Sequence, residues 1–309
     1  MPPAHMGLGL AALGRPAYIN LGHSDDVADP SVDAMERAAH AVLDAAYEEG
    51  VRWIDAARSY GRAEAFLASW LTSRGLGRDD LVVSSKWGYR YTAGWRVDAE
   101  EHEIKDLSAE HLRAQWQETR ELLGEWLRVY QIHSATLDSG VLDDAAVRRE
   151  LDALRDEGIR IGLTVTGAEQ AATIERALDV GGFDTVQATW NLHERSAEDA
   201  LSRAHAAGLR VLVKEALANG RLAGRGAPAA LSAAARARDT SEDKIALVAA
   251  LARPWADVVL SGAATVGQLR SNLHADMEVA WDDELEHELG GLAEEPAAYW
   301  DTRAELPWT

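Results

Sequence analysis

The chain has 309 residues, of which 47% are hydrophobic and 27% charged, and its formal net charge at pH 7 is −20. Such a chain can bury a large core, and its charge argues against nucleic acid or an anionic membrane surface as a partner. It contains no cysteine, which excludes disulfides and thiolate chemistry and favours the reducing cytoplasm as its location.

Short β-rich runs alternate with amphipathic helical stretches along the whole chain. In the first helical stretch, Met35, Ala39, Val42 and Ala46 recur near a 3.6-residue spacing, and Gly50 ends it. The β-rich runs lie at residues 7–13, 51–55, 81–86, 128–133, 159–165, 185–190, 209–214 and 257–261. The helical stretches lie near residues 35–47, 63–73, 109–123, 147–154, 169–178, 197–207, 243–251 and 265–274.

This alternation predicts the fold class. Strands that alternate with helices form parallel sheets with right-handed crossovers. Eight such units favour closure into a (β/α)8 barrel, the TIM barrel, over an open sheet. Because no linker divides the sequence, we expect one domain over residues 1–309. No apolar run approaches the roughly 18 residues of a membrane-spanning helix.

Polar residues end most of the predicted strands, although a buried strand normally continues as apolar sequence. In an α/β barrel these carboxyl ends converge on the face that carries the active site. The residues concerned are Asp55, Lys86, His133, Thr164, Gln187, Lys214 and Ser261.

Four residues form a chemically sensible set at this face: Asp55, Tyr60, Lys86 and His133. A free phenol has a pKa of about 10, too high for an efficient proton donor at neutral pH. A nearby ammonium lowers that pKa, and a carboxylate holds the ammonium in place. Each residue alone has an ordinary structural explanation, such as a turn cap or a loop aromatic. Their joint placement predicts general acid catalysis by Tyr60, with His133 orienting a carbonyl oxygen.

The segment from residue 50 to 61, GVRWIDAARSYG, resembles the aldo-keto reductase signature, in which an Asp precedes a Tyr by five residues. The runs that end in Lys86 and His133 resemble the Lys and His motifs of that family. The resemblance implies an oxidoreductase that moves hydride between a nicotinamide cofactor and a small carbonyl or alcohol. It also implies that Tyr60 is the proton donor.

Three further segments resemble the cofactor-binding parts of the family. Residues 187–191 resemble the segment whose Gln binds the nicotinamide carboxamide, residues 217–222 the loop over the pyrophosphate, and residues 261–272 the adenosine-phosphate segment. A strand end that runs into a helix N-terminus suits a phosphate. The cofactor-binding residues so implied are Thr164, Gln187, Lys214, Leu217, Asn219, Arg221, Leu222, Ser261, Gly262, Ala263, Thr265, Gln268, Ser271 and Asn272.

Departures from the family pattern concern the cofactor. The resemblance implies NADP(H), yet residues 262–264 and Gln268 carry no charge for a 2′-phosphate, so NAD(H) is the alternative. Val165 stands where many relatives have an Asn that contacts the carboxamide. Lys214 stands where many relatives stack an aromatic ring on the nicotinamide. We expect a cation there to disfavour the oxidised, positively charged ring.

Trp87 and Trp95 are the predicted substrate-binding residues, and the long insertion at residues 87–107 is expected to act as a lid. The tail from Glu294, with Trp300 and Trp308, resembles the segment that shapes specificity in the family. No spacing of His or Cys residues indicates a metal site.

Three alternatives stay open at this stage. The first is an NAD-preferring alcohol or sugar dehydrogenase of the same family. The second is a cofactor-bound regulatory subunit with little turnover, and the third is a Schiff-base lyase or aldolase that uses Lys86 or Lys214. The sequence indicates a small-molecule substrate but neither its identity, the direction of reaction nor the oligomeric state.

Overall fold

The computed structural model describes residues 5–309, apart from the side chain of residue 225. The strands in this part of the chain are β1 (His5–Gly9), β2 (Trp53–Asp55), β3 (Val82–Trp87), β4 (Tyr89–Tyr91), β5 (Glu103–Lys105), β6 (Leu127–Ala135), β7 (Arg160–Val165), β8 (Thr185–Thr189), β9 (Arg210–Lys214) and β10 (Val258–Ser261).

The helices are α1 (His23–Asp26), α2 (Val32–Glu48), α3 (Ala63–Arg74), α4 (Ala109–Leu123), α5 (Ala145–Asp156), α6 (Gln170–Val180), α7 (Glu198–Ala206), α8 (Ala229–Ala237), α9 (Glu242–Leu251), α10 (Val266–Leu273), α11 (Ala275–Glu278), α12 (Asp283–Leu289) and α13 (Pro296–Ala304). Short 3-10 helices lie at Ala218–Gly220, Gly224–Gly226 and Gly290–Leu292. Within residues 5–309, no helix combines the length and the apolar character that a membrane crossing requires.

Eight strands close a parallel barrel in the order β1-β10-β9-β8-β7-β6-β3-β2. The ring closes where β1 pairs with both β10 and β2. Helices separate successive barrel strands along the chain, so the predicted (β/α)8 barrel is confirmed. The two remaining strands, β4 and β5, form a separate antiparallel pair.

Alternate residues of each strand face the inside of the barrel, because side chains on a strand point to opposite faces in turn. Trp53, Val129, Leu212, Val258 and Leu260 form an apolar cluster that is separate from the larger core around it. The residues between them on the strands, such as Val211 and Val259, belong to the larger core. Apolar packing therefore fills the barrel below the polar ends of its strands.

Gly162 of β7 lies at a crowded point of this interior. A Cβ built on it would lie 2.1 Å from Oγ1 of Thr185 and 2.9 Å from Cγ of Gln131. Only glycine fits such a contact without moving the neighbouring strands.

Two segments differ from the prediction made from the sequence. The first strand ends at Gly9 rather than continuing to residue 13, because the chain turns at once and the backbone N–H groups of Leu13 and Gly14 both donate to the carbonyl of Leu10. The insertion at residues 87–107 contains the β4–β5 hairpin, whose pairs run from Tyr89–Lys105 to Tyr91–Glu103.

Candidate active site

A cavity of about 1030 Å³ lies at the carboxyl ends of the barrel strands. Its wall includes Asp55, Tyr60 and His133, which the sequence placed together, and the strand-end residues Thr164, Gln187, Lys214 and Ser261. The cavity extends along the loop after β9 to Gln268 and Asn272 on α10. Its floor is thus a cluster of polar side chains and its length suits an extended ligand.

Asp55 and Lys86 form a buried ion pair on neighbouring strands β2 and β3. Nζ of Lys86 lies 2.5 Å from Oδ2 of Asp55 and also donates to the carbonyl of Ala56 at 2.9 Å. The carboxylate accepts further hydrogen bonds from Ser84 at 2.7 Å and from Gln131 at 3.0 Å. A buried ion pair needs such additional partners to offset its loss of hydration.

Tyr60 and His133 lie beside this pair. Nζ of Lys86 is 4.7 Å from the centroid of the Tyr60 ring, and the Tyr60 and His133 rings meet edge to face with centroids 5.5 Å apart. Tyr60 precedes Gly61, which has φ of +59° and whose Cβ, if present, would lie 2.5 Å from the carbonyl oxygen of Gly14. The tight turn that presents Tyr60 therefore requires a glycine after it.

The pKa of Tyr60 differs from our expectation. Burial raises it well above the usual value of 10, the charge of Asp55 raises it further, and the charge of Arg15 lowers it. The prediction that the Lys86 ammonium lowers this pKa overall was wrong, because burial and the charge of Asp55, 2.5 Å from Nζ of Lys86, outweigh it. The phenol is therefore protonated at neutral pH, and in this geometry it is a weaker acid than a free phenol.

His133 is held in its neutral form. Burial lowers its pKa well below 6.5, and the charges of Lys86, Lys214, Arg15 and Lys105 lower it further. Its Nδ1 lies 3.5 Å from the hydroxyl of Ser59. A neutral imidazole can serve as a hydrogen-bond partner for a carbonyl oxygen without adding a charge.

Lys214, at the end of β9, belongs to a second cluster of charged residues. Its Nζ donates to Oγ1 of Thr189 at 2.9 Å, and burial lowers its pKa to about 8. The adjacent Glu215 is bound by both Nε and Nη2 of Arg303, at 3.0 and 2.5 Å, and by the hydroxyl of Thr189 at 3.0 Å. Despite its burial, Glu215 has a pKa lowered to about 2, mainly by Arg303 and Lys214.

Most residues that the resemblance assigned to the cofactor line the cavity. They are Thr164, Gln187, Lys214, Leu217, Asn219, Ser261, Gly262, Ala263, Gln268 and Asn272. The other four lie outside its wall. Leu222 is buried in the core, and Arg221 binds Glu294. Thr265 caps α10 by accepting from the N–H of Gln268, and Ser271 lies on the same helix.

The shape and polarity of the cavity fit a dinucleotide. Asn219 is buried in its wall, and Oδ1 of this residue has no hydrogen-bond partner within residues 5–309, while Nδ2 donates to the carbonyl of Ile19. An unpaired buried acceptor is costly unless a bound group donates to it, as a ribose hydroxyl would. At the far end, Ser261 accepts a hydrogen bond from Nδ2 of Asn272 at 2.9 Å.

Both tryptophans that we expected to bind substrate lie outside the cavity wall. Trp87 follows inward-facing Lys86 on β3, so it points out of the barrel and is fully buried in the core. Trp95 packs edge to face on Phe66 of α3, and its indole N–H donates to the carbonyl of Pro30 at 2.6 Å. The prediction that Trp87 and Trp95 bind the substrate was therefore wrong, because neither side chain reaches the cavity.

Arg15 and Tyr18, which the sequence reasoning missed, line the outer wall of the cavity. With them lie Tyr89 and Glu103 from the insertion and Trp308 from the tail that the resemblance linked to specificity. The tail is fixed by two backbone hydrogen bonds between Tyr18 and Thr309 and by stacking of Trp308 on His102, whose ring centroids are 4.2 Å apart. Contacts between segments so far apart in the sequence cannot be predicted from a local sequence pattern.

Similarity to known proteins agrees with this geometry. Residues 6–286 match the model of the aldo/keto reductase family. The chain is 24% identical over 287 residues to the uncharacterized oxidoreductase YqkF of Bacillus subtilis strain 168, covering 82% of this chain and 89% of that protein. Its fold is similar to that of aldo-keto reductase AKR11C1 from Bacillus halodurans in the holo form, with a TM-score of 0.72, 20% identity, and coverage of 95% of this chain and 93% of that one. The chain belongs to the aldo/keto reductase family, whose members are oxidoreductases that use nicotinamide cofactors.

Proposed function

We propose that this protein interconverts a small carbonyl compound and its alcohol, with Tyr60 as the group that gives or takes the proton. The observation that carries the proposal is the position of Tyr60 on the cavity wall. Its ring lies 4.7 Å from the Lys86 ammonium and 5.5 Å from His133. Family membership supplies the reaction class, and this cluster supplies the residues.

Each of the four residues has a distinct role in the proposal. Tyr60, which is protonated at neutral pH, donates a proton to the oxygen that becomes the alcohol. The Lys86 ammonium stabilises the phenolate that remains, and Asp55 fixes the ammonium in place. Neutral His133 orients the carbonyl oxygen toward Tyr60. When bound, the nicotinamide cofactor supplies or accepts the hydride.

The cofactor would lie along the cavity, with Thr164 and Gln187 at the carboxamide end and Gly262, Gln268 and Asn272 at the adenosine end. The resemblance implied NADP(H), with NAD(H) as the alternative. Two carboxylates, Asp25 and Asp26, share the cavity wall with Gln268, whose amide donates to Asp26 at 2.9 Å. A 2′-phosphate beside them would be repelled, so these carboxylates support NAD(H).

The proposal is tested by Tyr60→Phe, which removes only the hydroxyl. We expect kcat for aldehyde reduction to fall by about 10²- to 10⁴-fold, the usual contribution of a general acid, while dinucleotide affinity changes little. Turnover is followed by cofactor absorbance and affinity by calorimetry. The matched control, Tyr47→Phe on outer helix α2, should change neither quantity. Full kcat in the Tyr60 variant would refute the assignment of the proton donor.

One observation favours a second candidate, Schiff-base chemistry at Lys214. This lysine lines the cavity and its pKa is lowered to about 8, so a substantial fraction is a free amine at mildly alkaline pH. Treatment with borohydride in the presence of a carbonyl substrate would trap a covalent adduct on Lys214. Absence of the adduct, together with cofactor-dependent turnover, would eliminate this candidate.

A further inference from the structure

The position of Arg15 suggests a substrate-recognition role distinct from that of the four proposed reaction residues. Arg15 follows β1, is only 2% exposed, and lines the cavity. Its guanidinium carbon lies 5.1 Å from the ring centroid of Tyr60, 5.3 Å from that of Tyr18 and 4.7 Å from that of Trp308. Three aromatic rings from distant parts of the chain thus hold one guanidinium next to the proposed proton donor.

The hydrogen bonds of Arg15 satisfy only part of this guanidinium. Nη1 donates to Oε2 of Glu103 at 2.8 Å and to the carbonyl of Ser59 at 3.2 Å. Nε is buried and has no hydrogen-bond partner among the described residues. A buried donor without an acceptor destabilises the protein, and a ligand that supplies the acceptor would remove that cost.

The other cations around His133 are differently placed. Lys86 donates to Asp55, Lys105 donates to the carbonyl of Ser134 at 2.6 Å, and Lys214 donates to Thr189. Among the described residues, none of these three ammonium nitrogens is buried without a partner, whereas Nε of Arg15 is. A guanidinium also presents its donors as a rigid planar fork that matches an oxyanion, which an ammonium does not.

We propose that Arg15 binds an oxyanion of the substrate, a carboxylate or a phosphate ester, so that the substrate class is carbonyl compounds carrying such a group. This inference rests on the proposed function, because Arg15 would bind one end of a substrate whose carbonyl group, at the other end, lies at Tyr60. Glu103 competes with the oxyanion for the same guanidinium and limits its affinity. The rings of Tyr18 and Trp308, 5.3 and 4.7 Å from the guanidinium carbon, restrict its movement.

The test compares aldehydes of equal chain length: one with a terminal carboxylate, its methyl ester, and one with a terminal phosphate ester. The readout is the ratio of kcat/KM for each anionic substrate to kcat/KM for the ester. This ratio is needed because the charge of Arg15 also lowers the pKa of Tyr60, so that its removal affects every substrate. Comparison of the two anionic substrates identifies which oxyanion the site takes.

In the Arg15→Met variant we expect this ratio to fall by about 10- to 100-fold, the range for one charge-assisted hydrogen-bonding group. Arg15→Lys, which keeps the charge without the planar fork, should lose less and serves if the Met variant does not fold. Glu103→Gln should raise the ratio, since it removes the competing carboxylate. Arg96→Met, at an exposed ion pair with Asp98 in the same insertion, is the matched control and should leave the ratio unchanged.

A structural brace would behave differently from a recognition residue. If Arg15 only braces the hairpin against the barrel, its loss would lower kcat/KM for ester and anion alike, and Glu103→Gln would not favour the anion. Either result would overturn the inference, as would a wild-type enzyme that prefers the ester. Calorimetry with the corresponding dicarboxylate, which cannot be reduced, measures oxyanion binding directly. It separates failure of this inference from failure of the proposed reaction, because binding persists even if no aldehyde is reduced.

Discussion

Lys214 is the cationic side chain at the cavity whose charge changes most readily near neutral pH. Its usual pKa of 10.5 is lowered to about 8, first by burial and then by the charges of Arg303 and Lys86, while Glu215 opposes the shift. The charge of Glu215, which Arg303 binds through two nitrogens, does not outweigh the effect of burial on the amine. Below pH 8 an ammonium therefore lies at the position that the sequence resemblance assigns to the nicotinamide ring.

This titration predicts a pH-dependent affinity for the oxidised cofactor. Lys214 is charged below about pH 8 and neutral above it, so its repulsion of the positively charged nicotinamide ring decreases as the pH rises. We expect the affinity for the oxidised cofactor to increase by about 3- to 10-fold between pH 7 and pH 9, equivalent to at most one pKa unit of interaction. The affinity for the reduced cofactor should change little. Calorimetric titration of both forms at the two pH values measures the effect.

The Lys214→Met variant should bind the oxidised cofactor equally at both pH values. Lys244, which pairs with Glu278 and lies outside the cavity wall, offers the control, and Lys244→Met should keep the wild-type dependence. If Lys214→Met kept the wild-type pH dependence of this affinity, another group would be responsible for it. The nicotinamide ring would then not lie beside Lys214.

Helix α3 connects the turn that carries Tyr60 to its neighbouring elements through one buried carboxylate. Glu64, 1% exposed in the first turn of α3, accepts hydrogen bonds from Ser85 of β3 at 2.5 Å and from Thr119 of α4 at 3.0 Å, and pairs with Arg58. Ser85 faces the helix layer because it alternates with inward-facing Ser84 and Lys86. Two helices and a strand thus share one acceptor group.

Removal of this carboxylate should destabilise the barrel. In Glu64→Ala, the buried hydroxyl groups lose their acceptor and Arg58 loses its buried partner, so we expect the free energy of unfolding to fall by about 3 kcal/mol. Urea denaturation followed by circular dichroism measures this quantity. Glu118 also pairs with Arg58 but is exposed, and Glu118→Gln should cost less than about 1 kcal/mol. Equal losses in the two variants would contradict the role given to burial.

Element periodicity explains which predictions from the sequence were successful. All eight barrel strands and the polar ends that carry Asp55, Lys86 and His133 follow from local patterns. The same alternation of side chains along β3 shows that Trp87 points away from Lys86. The prediction that Trp87 binds substrate was wrong because it did not take this alternation into account. By contrast, the hairpin, the aromatic enclosure of Arg15 and the contact of Trp308 with His102 depend on contacts between distant segments. No local pattern encodes such contacts.

The net charge of the whole molecule bears on the choice of cofactor. A charge of −20 repels any anionic dinucleotide at long range, and a 2′-phosphate adds nearly two further negative charges. Asp25 and Asp26 place part of this negative charge on the cavity wall itself. Cations gather at the opposite end, around His133, so the field along the cavity is uneven.

This uneven field predicts a salt-dependent preference between the two reduced cofactors. We expect NADH to bind more tightly than NADPH at low ionic strength. The ratio of their Kd values should move toward one as NaCl increases, because the Debye length falls from about 30 Å at 0.01 M to about 8 Å at 0.15 M. Asp26→Asn keeps a side-chain acceptor for the amide of Gln268 while removing the charge, so it should narrow the preference at low salt. Asp179→Asn, at an exposed position on α6 outside the cavity wall, makes the same change in net charge and should have a smaller effect. Fluorescence titration of each cofactor across the salt series gives the Kd values. Tighter binding of NADPH at low salt would contradict the prediction, because other groups would then hold the 2′-phosphate against the repulsion by the carboxylates.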